Sequence, residues 1–183
     1  MARFEVINNS REAKIYNVKV KTADYDAGDI GLVSNGVVGK VAKRLEDNVY
    51  ELEKLATEGD KVFFVASPEV DVDEYNFKKN TLLHYMNDVD DVLDAVEIAV
   101  DRKFAISEDG INGTIVSKKG YVYAKVGETK LQYKATKPDF ETDQAVLIAE
   151  IEEVVPATQG MFIGLNGKNL AMQYNIVRCR VIA

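Results

Sequence analysis

The single histidine, His84, sits within Leu82-Leu83-His84-Tyr85-Met86, and any Ser–His–Asp or Cys–His site in this chain would have to use it. No Gly-x-Ser-x-Gly elbow is present to raise a serine nucleophile out of a strand–helix turn. The one cysteine, Cys179, lies between Arg178 and Arg180 in an alternating run. That pattern predicts a small apolar side chain facing inward, a poor setting for a reactive thiolate. One histidine and one cysteine also cannot supply an ordinary zinc ligand set. The reading is therefore a chain with no catalytic, cofactor-binding or metal-ligating residues, and not an enzyme.

Other clusters lead the same way. Asp71-Val72-Asp73-Glu74 and Asp88-Val89-Asp90-Asp91 are rich in carboxylates. An EF-hand loop starting at Asp88 needs glycine at its sixth position, where Leu93 stands, so these are read as solvated acidic loops. Gly28, Gly31, Gly36 and Gly39 suggest a phosphate-binding loop, but Gly39-Lys40 is followed by Val41 where a P-loop needs a hydroxyl for magnesium. Flexible turns are the expectation there. Lysines 118 and 119, and 130, 134 and 137, are the best basic patches; each is read as a solvated strand face or turn. With 23 basic and 30 acidic residues the net charge is −7, which disfavours phosphate backbones and predicts no nucleic-acid partner. No apolar leader or membrane-length run is found, so export by a cleaved leader and membrane insertion are not expected.

The elements that would position any site read as β-strands. The chain's 183 residues are 46% hydrophobic and 29% charged, enough for a real core without disulfides. Asp109-Gly110, Asn112-Gly113 and Asn166-Gly167 are hairpin-turn signals, because both central positions of such turns need positive φ. Residues 14–21, 130–135 and 147–152 alternate apolar and polar side chains, as do 177–181, where Val177, Cys179 and Val181 oppose Arg178 and Arg180. Residues 62–66 form an apolar run suited to a strand buried on both faces. Segments 104–107, 114–118 and 121–126 complete a series of short strands, the signature of a small antiparallel barrel or sandwich. Two stretches resist. Residues 37–45 are compatible with a short helix. Over 88–100, Val89, Val92, Leu93, Val96 and Val100 fall at helical spacing with Asn87 or Asp88 as a cap, although the valines disfavour a helix. Tyr16, Tyr50, Tyr121, Tyr123, Tyr133 and Tyr174 fall on the predicted strands, where tyrosine suits both a half-buried surface and a protein interface.

The order of these features resembles small structural proteins from the capsid modules of tailed bacteriophages that infect Gram-positive bacteria. The resemblance runs from Asn48-Val49-Tyr50-Glu51-Leu52 through Val65-Ala66-Ser67-Pro68-Glu69 and Leu82-Leu83-His84-Tyr85-Met86-Asn87. It continues with Asp101-Arg102-Lys103-Phe104-Ala105-Ile106-Ser107 as the entry to a barrel, then 120–126, 127–134, 146–153 and 174–182 as later strands. It is a resemblance of pattern over 48–183 with no diagnostic motif. It implies a mainly β domain at 48–183 and an N-terminal arm or extension at 1–47 able to dock on a neighbour. It also implies that 97–107 is extended, so that the helix over 88–100 shortens or vanishes. The function it implies is that of a virion structural protein, a capsid decoration or minor head component made in the host cytoplasm. Its partners would be the major capsid protein or other virion proteins, and it would be a homo-oligomer or multicopy subunit. A cytoplasmic protein-binding module with no catalytic activity is the alternative that composition leaves open.

Overall fold

The computed structural model describes residues 4–6, 14–21, 25, 32–67, 87–88, 91–115, 119–163 and 169–183. They form a mainly β structure. The strands are β1 (Phe4–Val6), β2 (Ile15–Val20), β3 (Leu32–Val33), β4 (Val38–Glu46), β5 (Val49–Glu53), β6 (Phe63–Val65) and β7 (Asn87–Asp88). They continue with β8 (Leu93–Glu97), β9 (Lys103–Ser107), β10 (Ile111–Asn112), β11 (Tyr121–Lys125), β12 (Leu131–Lys134), β13 (Ala145–Ile163) and β14 (Asn169–Val181). A single turn of helix, α1 (Phe140–Asp143), precedes β13; Asp139 caps it by accepting hydrogen bonds from the Glu141 and Thr142 amides.

Five strands close into a small barrel in the order β2-β5-β4-β6-β8, with β8 returning to β2. The β4–β5 hairpin turns through Asp47 and Asn48, and Asn48 takes φ 61°, a left-handed conformation that asparagine tolerates well. Closure comes from a parallel pairing of β2 with β5, Asn17 opposite Val49 through Val20 opposite Leu52. The expected antiparallel barrel therefore has one parallel seam. Gly39 allows it to be tight: a β-carbon there would strike the Tyr25 hydroxyl and lie 2.7 Å from the Glu53 carbonyl oxygen. Seven further strands form an open sheet in the order β1-β9-β14-β13-β11-β12-β10.

Two cores follow from this arrangement. Val18, Val20, Leu52, Phe63, Val65, Leu93 and Ala95 fill the barrel. Val38, Phe64, Val96 and Ile98 leave its outer wall and pack with Phe104, Ile106, Val122, Ala149, Val177 and Cys179 of the large sheet. Strand β6 is thus buried on both faces, as its unbroken apolar run predicts. Its central ring, Phe64, lies 5.3 Å from Phe104 between centroids.

Several expectations are corrected here. Residues 93–97 are a strand: Leu93 and Ala95 face the barrel interior while Val92 and Val100 are exposed. Both edges of β8 are paired, to β2 and β6, and that pairing outweighs the helical spacing of its valines. Residues 38–46 are likewise β4 and not a helix. Residues 15–20 and 38–46 are strands β2 and β4 of the barrel, and residue 47 falls in the turn of the β4–β5 hairpin. Asp109-Gly110 ends a single 3-10 turn, Glu108–Gly110, and does not form a hairpin turn. Residues 114 and 115 belong to no strand, while 116–118 and the Asn166-Gly167 signal lie outside the described residues.

Phe104 is fully buried where the large sheet packs on the barrel's outer wall. Phe104→Ala should cost about 3–5 kcal/mol, read as a fall in the denaturant midpoint with an unchanged slope. A loss below about 1 kcal/mol would mean this contact is not packed as described.

Candidate interaction surface

The longest continuous pairing in the molecule is β13 with β14, from Ala149 opposite Val181 to Ile163 opposite Asn169. Its base is fixed on both sides. Strand β11 pairs β13 from Ala145 to Glu150, and β9 pairs β14 from Ile176 to Arg180. Beyond these limits, among the described residues, β13 and β14 pair with each other alone. At about 3.3 Å per residue, Glu153 to Ile163 carries a two-stranded arm roughly 30 Å past the sheet.

The arm's faces can be read from its register, because directly opposed residues share a face. At the base, Ala149, Ile151, Val177, Cys179 and Val181 are buried, whereas Glu150, Arg178 and Arg180 are exposed on the other side. A bulge between Ile151 and Glu153 adds one residue to β13, so that Glu153 meets Arg178 and Val154 meets Val177. The Arg178 Nη1 donates to Glu153 Oε2 at 2.9 Å, and Asn175 Nδ2 donates to Glu108 Oε1 at 3.0 Å, holding the arm where it leaves the sheet.

Past that point the face that carries Arg178 and Arg180 at the base continues with Val155/Ile176, and the face that carries Val177 and Cys179 continues with Pro156/Asn175. Further out the register pairs Ala157 with Tyr174, Thr158 with Gln173, Gln159 with Met172 and Phe162 with Leu170. Between Val154 and Val177 the sole charged residue in the sequence is Lys168, in a chain that is 29% charged.

The residues singled out for chemistry are dispersed. His84, Asp71, Asp73, Asp90, Gly28, Gly31 and Lys118 lie outside the described residues. Cys179 is buried, and desolvation, with Glu152 adding a smaller effect, pushes its thiol pKa far above the ordinary value. Gly36 sits in a turn at φ 84°, and Gly39 lies within β4, not in a flexible turn. Of the basic residues, Lys130 donates to the Asp109 carbonyl at 3.2 Å, and Lys134 donates to both oxygens of Asp143 at 2.8 and 2.6 Å. Tyr16 meets Tyr50 and Phe63 edge-on, at 5.2 and 5.5 Å, as part of the barrel's packing.

Buried polar groups serve the fold. Asn35 exchanges two hydrogen bonds with the Ser67 backbone and accepts another from Asn87 Nδ2 at 3.1 Å. Among the described residues no group of three or more histidine, cysteine, aspartate or glutamate side chains is arranged to hold a metal. A groove of about 230 Å³ runs beside Val100, Leu147 and Ala183, and the charged pair at its edge, Lys61 and Glu97, is bridged to itself at 3.1 Å. Neither feature focuses unpaired polar groups on a small ligand. The sequence reading found the base strands of the hairpin at 147–152 and 177–181 but missed the arm. The signal was present in the strict alternation of Leu170, Met172, Tyr174 and Ile176.

Comparison with family models, with curated proteins and with solved structures finds no match.

Two measurements check the local chemistry. The Lys134 hydrogen bond, followed by the Asp139 amide, holds the Asp143 carboxyl below its ordinary pKa of 3.8. Stability from this contact is complete above that value and is lost as pH falls below it, because the unfolded chain takes up the proton first. Asp143→Asn should therefore lower the urea midpoint at pH 7 and narrow the gap from the native chain as pH drops below 3.8. A gap unchanged with pH would place the stabilisation elsewhere. Cys179 should resist a maleimide in the folded protein and react fully in denaturant; rapid labelling of the folded chain would contradict its burial.

Proposed function

We propose that this chain is a non-catalytic virion structural protein, a capsid decoration or minor head subunit, that attaches to its shell through the β13–β14 arm. The observation that carries the reading is the arm itself. A two-stranded ribbon is marginal in water unless an apolar face is covered. Between Val154 and Val177 this ribbon carries a single charged residue in its sequence, Lys168. Such a surface fits another protein better than a phosphate backbone or a small polar ligand. The capsid assignment rests on the pattern resemblance described above, and the arm supplies the contact element that the resemblance leaves unspecified.

Charge favours the outside of the shell. Packaged nucleic acid creates a dense negative field within, and a chain of net charge −7 is repelled there unless a basic face turns inward. Attachment at the outer surface or in a gap between capsomers avoids that repulsion. Repetition by symmetry then allows weak individual contacts to hold many copies.

The test is co-sedimentation with purified shells. Phe162→Asp and Ala157→Asp, which place a charge on the nearly uncharged arm, should weaken attachment about tenfold or more each. Asp47→Asn, in the exposed β4–β5 turn, should leave it within about twofold. Failure of the native chain to sediment with any virion component, or equal losses from all three changes, would overturn the reading. On intact particles, limited protease should reach the bound protein; full protection that ends when the shell is opened would place it inside.

A further inference from the structure

The Asn-Gly pair occurs three times in this chain, at 35–36, 112–113 and 166–167, and the last lies outside the described residues. The pair has a chemistry of its own, because glycine has no β-carbon to shield its backbone nitrogen. That nitrogen can attack the asparagine side-chain carbonyl carbon and displace ammonia. The reaction needs a side-chain amide free to turn, a glycine N–H free to react, and access for water. The fold treats the two described pairs in opposite ways.

Asn35-Gly36 meets none of these conditions. Asn35 is 4% exposed. Its Nδ2 donates to the Ser67 carbonyl at 2.9 Å, and its Oδ1 accepts from the Ser67 amide at 3.2 Å and from Asn87 Nδ2 at 3.1 Å. The Gly36 amide donates to the Val65 carbonyl at 2.8 Å. Turning the Asn35 amide would leave all of these buried partners unsatisfied at once, so the pair is inert while the barrel is closed.

Asn112-Gly113 is the reverse case. Both residues are exposed, and the Asn112 side chain makes no hydrogen bond among the described residues. Asn112 ends β10, a two-residue strand at the edge of the large sheet whose strand partner among the described residues is β12 alone. Gly113 leaves that strand at φ 107°, a conformation suited to glycine. Ile111 is buried in the core and pins the start of the strand. Opening Asn112 and Gly113 therefore uncovers no apolar side chain, and such fraying at a strand end lies at the low end of local unfolding free energies.

We propose that Asn112 is a self-modification site at which the folded chain converts asparagine to aspartate and isoaspartate, while Asn35 is locked against the same reaction by its hydrogen bonds to Ser67 and Asn87. The Gly113 nitrogen gives up its proton and bonds to Asn112 Cγ; the Cγ–Nδ2 bond breaks, and ammonia leaves with that proton. Water then opens the resulting imide ring at one of its two carbonyl carbons. Opening at Cγ gives aspartate; opening at the main-chain carbonyl gives isoaspartate. Either product adds one negative charge at the edge of the large sheet. In isoaspartate the main chain runs through Cβ and Cγ, which lengthens the backbone just before Gly113 and disturbs the pairing of residue 112 with Gln132. Neither the arm nor the identity of the shell enters this inference.

The experiment ages the full chain at mildly alkaline pH, with and without urea, and follows each Asn-Gly pair by mass and by enzymatic methylation of isoaspartate. Trypsin places the pairs on separate peptides, since lysines lie between them. In urea, Asn35 and Asn112 should convert at rates within about threefold of each other, because glycine follows both. In the folded chain Asn112 should stay within about tenfold of its urea rate, while Asn35 should be at least about a hundredfold slower than in urea. Asn112→Gln lengthens the side chain past easy ring closure and should stop the charge gain on that peptide with the melting temperature unchanged. Asn87→Ala removes one of the bonds to Asn35 Oδ1 and should speed conversion at Asn35 while leaving Asn112 as it was. Protection of Asn112 in the folded chain as strong as that of Asn35 overturns the proposal, as does conversion of folded Asn35 at its urea rate. An Asn35 rate unmoved by Asn87→Ala would overturn the assignment of its protection to these hydrogen bonds.

Discussion

The structure depends on the double burial of β6. Its three residues have no solvent face: Phe63 and Val65 fill the barrel, and Phe64 leaves it to meet Phe104 of the large sheet. A sheet normally has one face to bury, and two sheets pack by pressing those faces together. Here the barrel wall serves both interiors at once. Val38 and Val96, on the neighbouring strands β4 and β8, extend the same outward surface. Backbone bonds across the seam, from the Val38 amide to Thr129 at 2.8 Å and from the Gly127 amide to Leu55 at 2.9 Å, fix the barrel against the β11–β12 turn. The large sheet is thereby a rigid base, and its two central strands can run far beyond it.

Rigidity at the base and chemistry on the arm are connected by the bulge at residues 151–153. Strand parity decides which residues reach the core, and one added residue on β13 keeps Val154 with Val177 while releasing Glu153 to Arg178. On β14 the parity never changes; the residue types do. Arginines occupy 178 and 180, then Ile176, Tyr174, Met172 and Leu170 occupy the same register further out. Between Val154 and Val177 the ribbon's sequence carries one charged residue, Lys168.

Much of the strand content is legible in the sequence where period two coincides with one buried face. Residues 15–20, 131–134, 149–152 and 177–181 are of this kind, as is the continuous run at 63–65. The failures have physical causes. Val92, Val96 and Val100 fall at helical spacing by coincidence, since β8 buries residues towards both cores and so blurs its alternation. Val38–Glu46 loses its pattern because the strand runs from a buried start to an exposed hairpin. Parallel closure of the barrel by β2 and β5 joins residues about thirty apart and leaves no local mark. The arm is illegible for a different reason: it runs past the charged residues that mark the alternation at 147–152 and 177–181, and its own sequence carries only Lys168 to set a phase.

The order of strands along the chain has a consequence for synthesis. All five barrel strands lie within residues 15–97, so they leave the ribosome before β13 and β14 exist. The large sheet is incomplete then, because β9 sits between β1 and β14, and β14 is translated after the barrel strands. Until residues 176–181 emerge, the cover over Phe64, Val38 and Val96, which includes Phe104, Val122 and Val177, is incomplete. The nascent chain thus carries a sticky apolar wall for the time needed to translate some eighty further residues, at about 5–20 residues per second a matter of several seconds. That interval makes this wall the surface most open to capture by a holding chaperone.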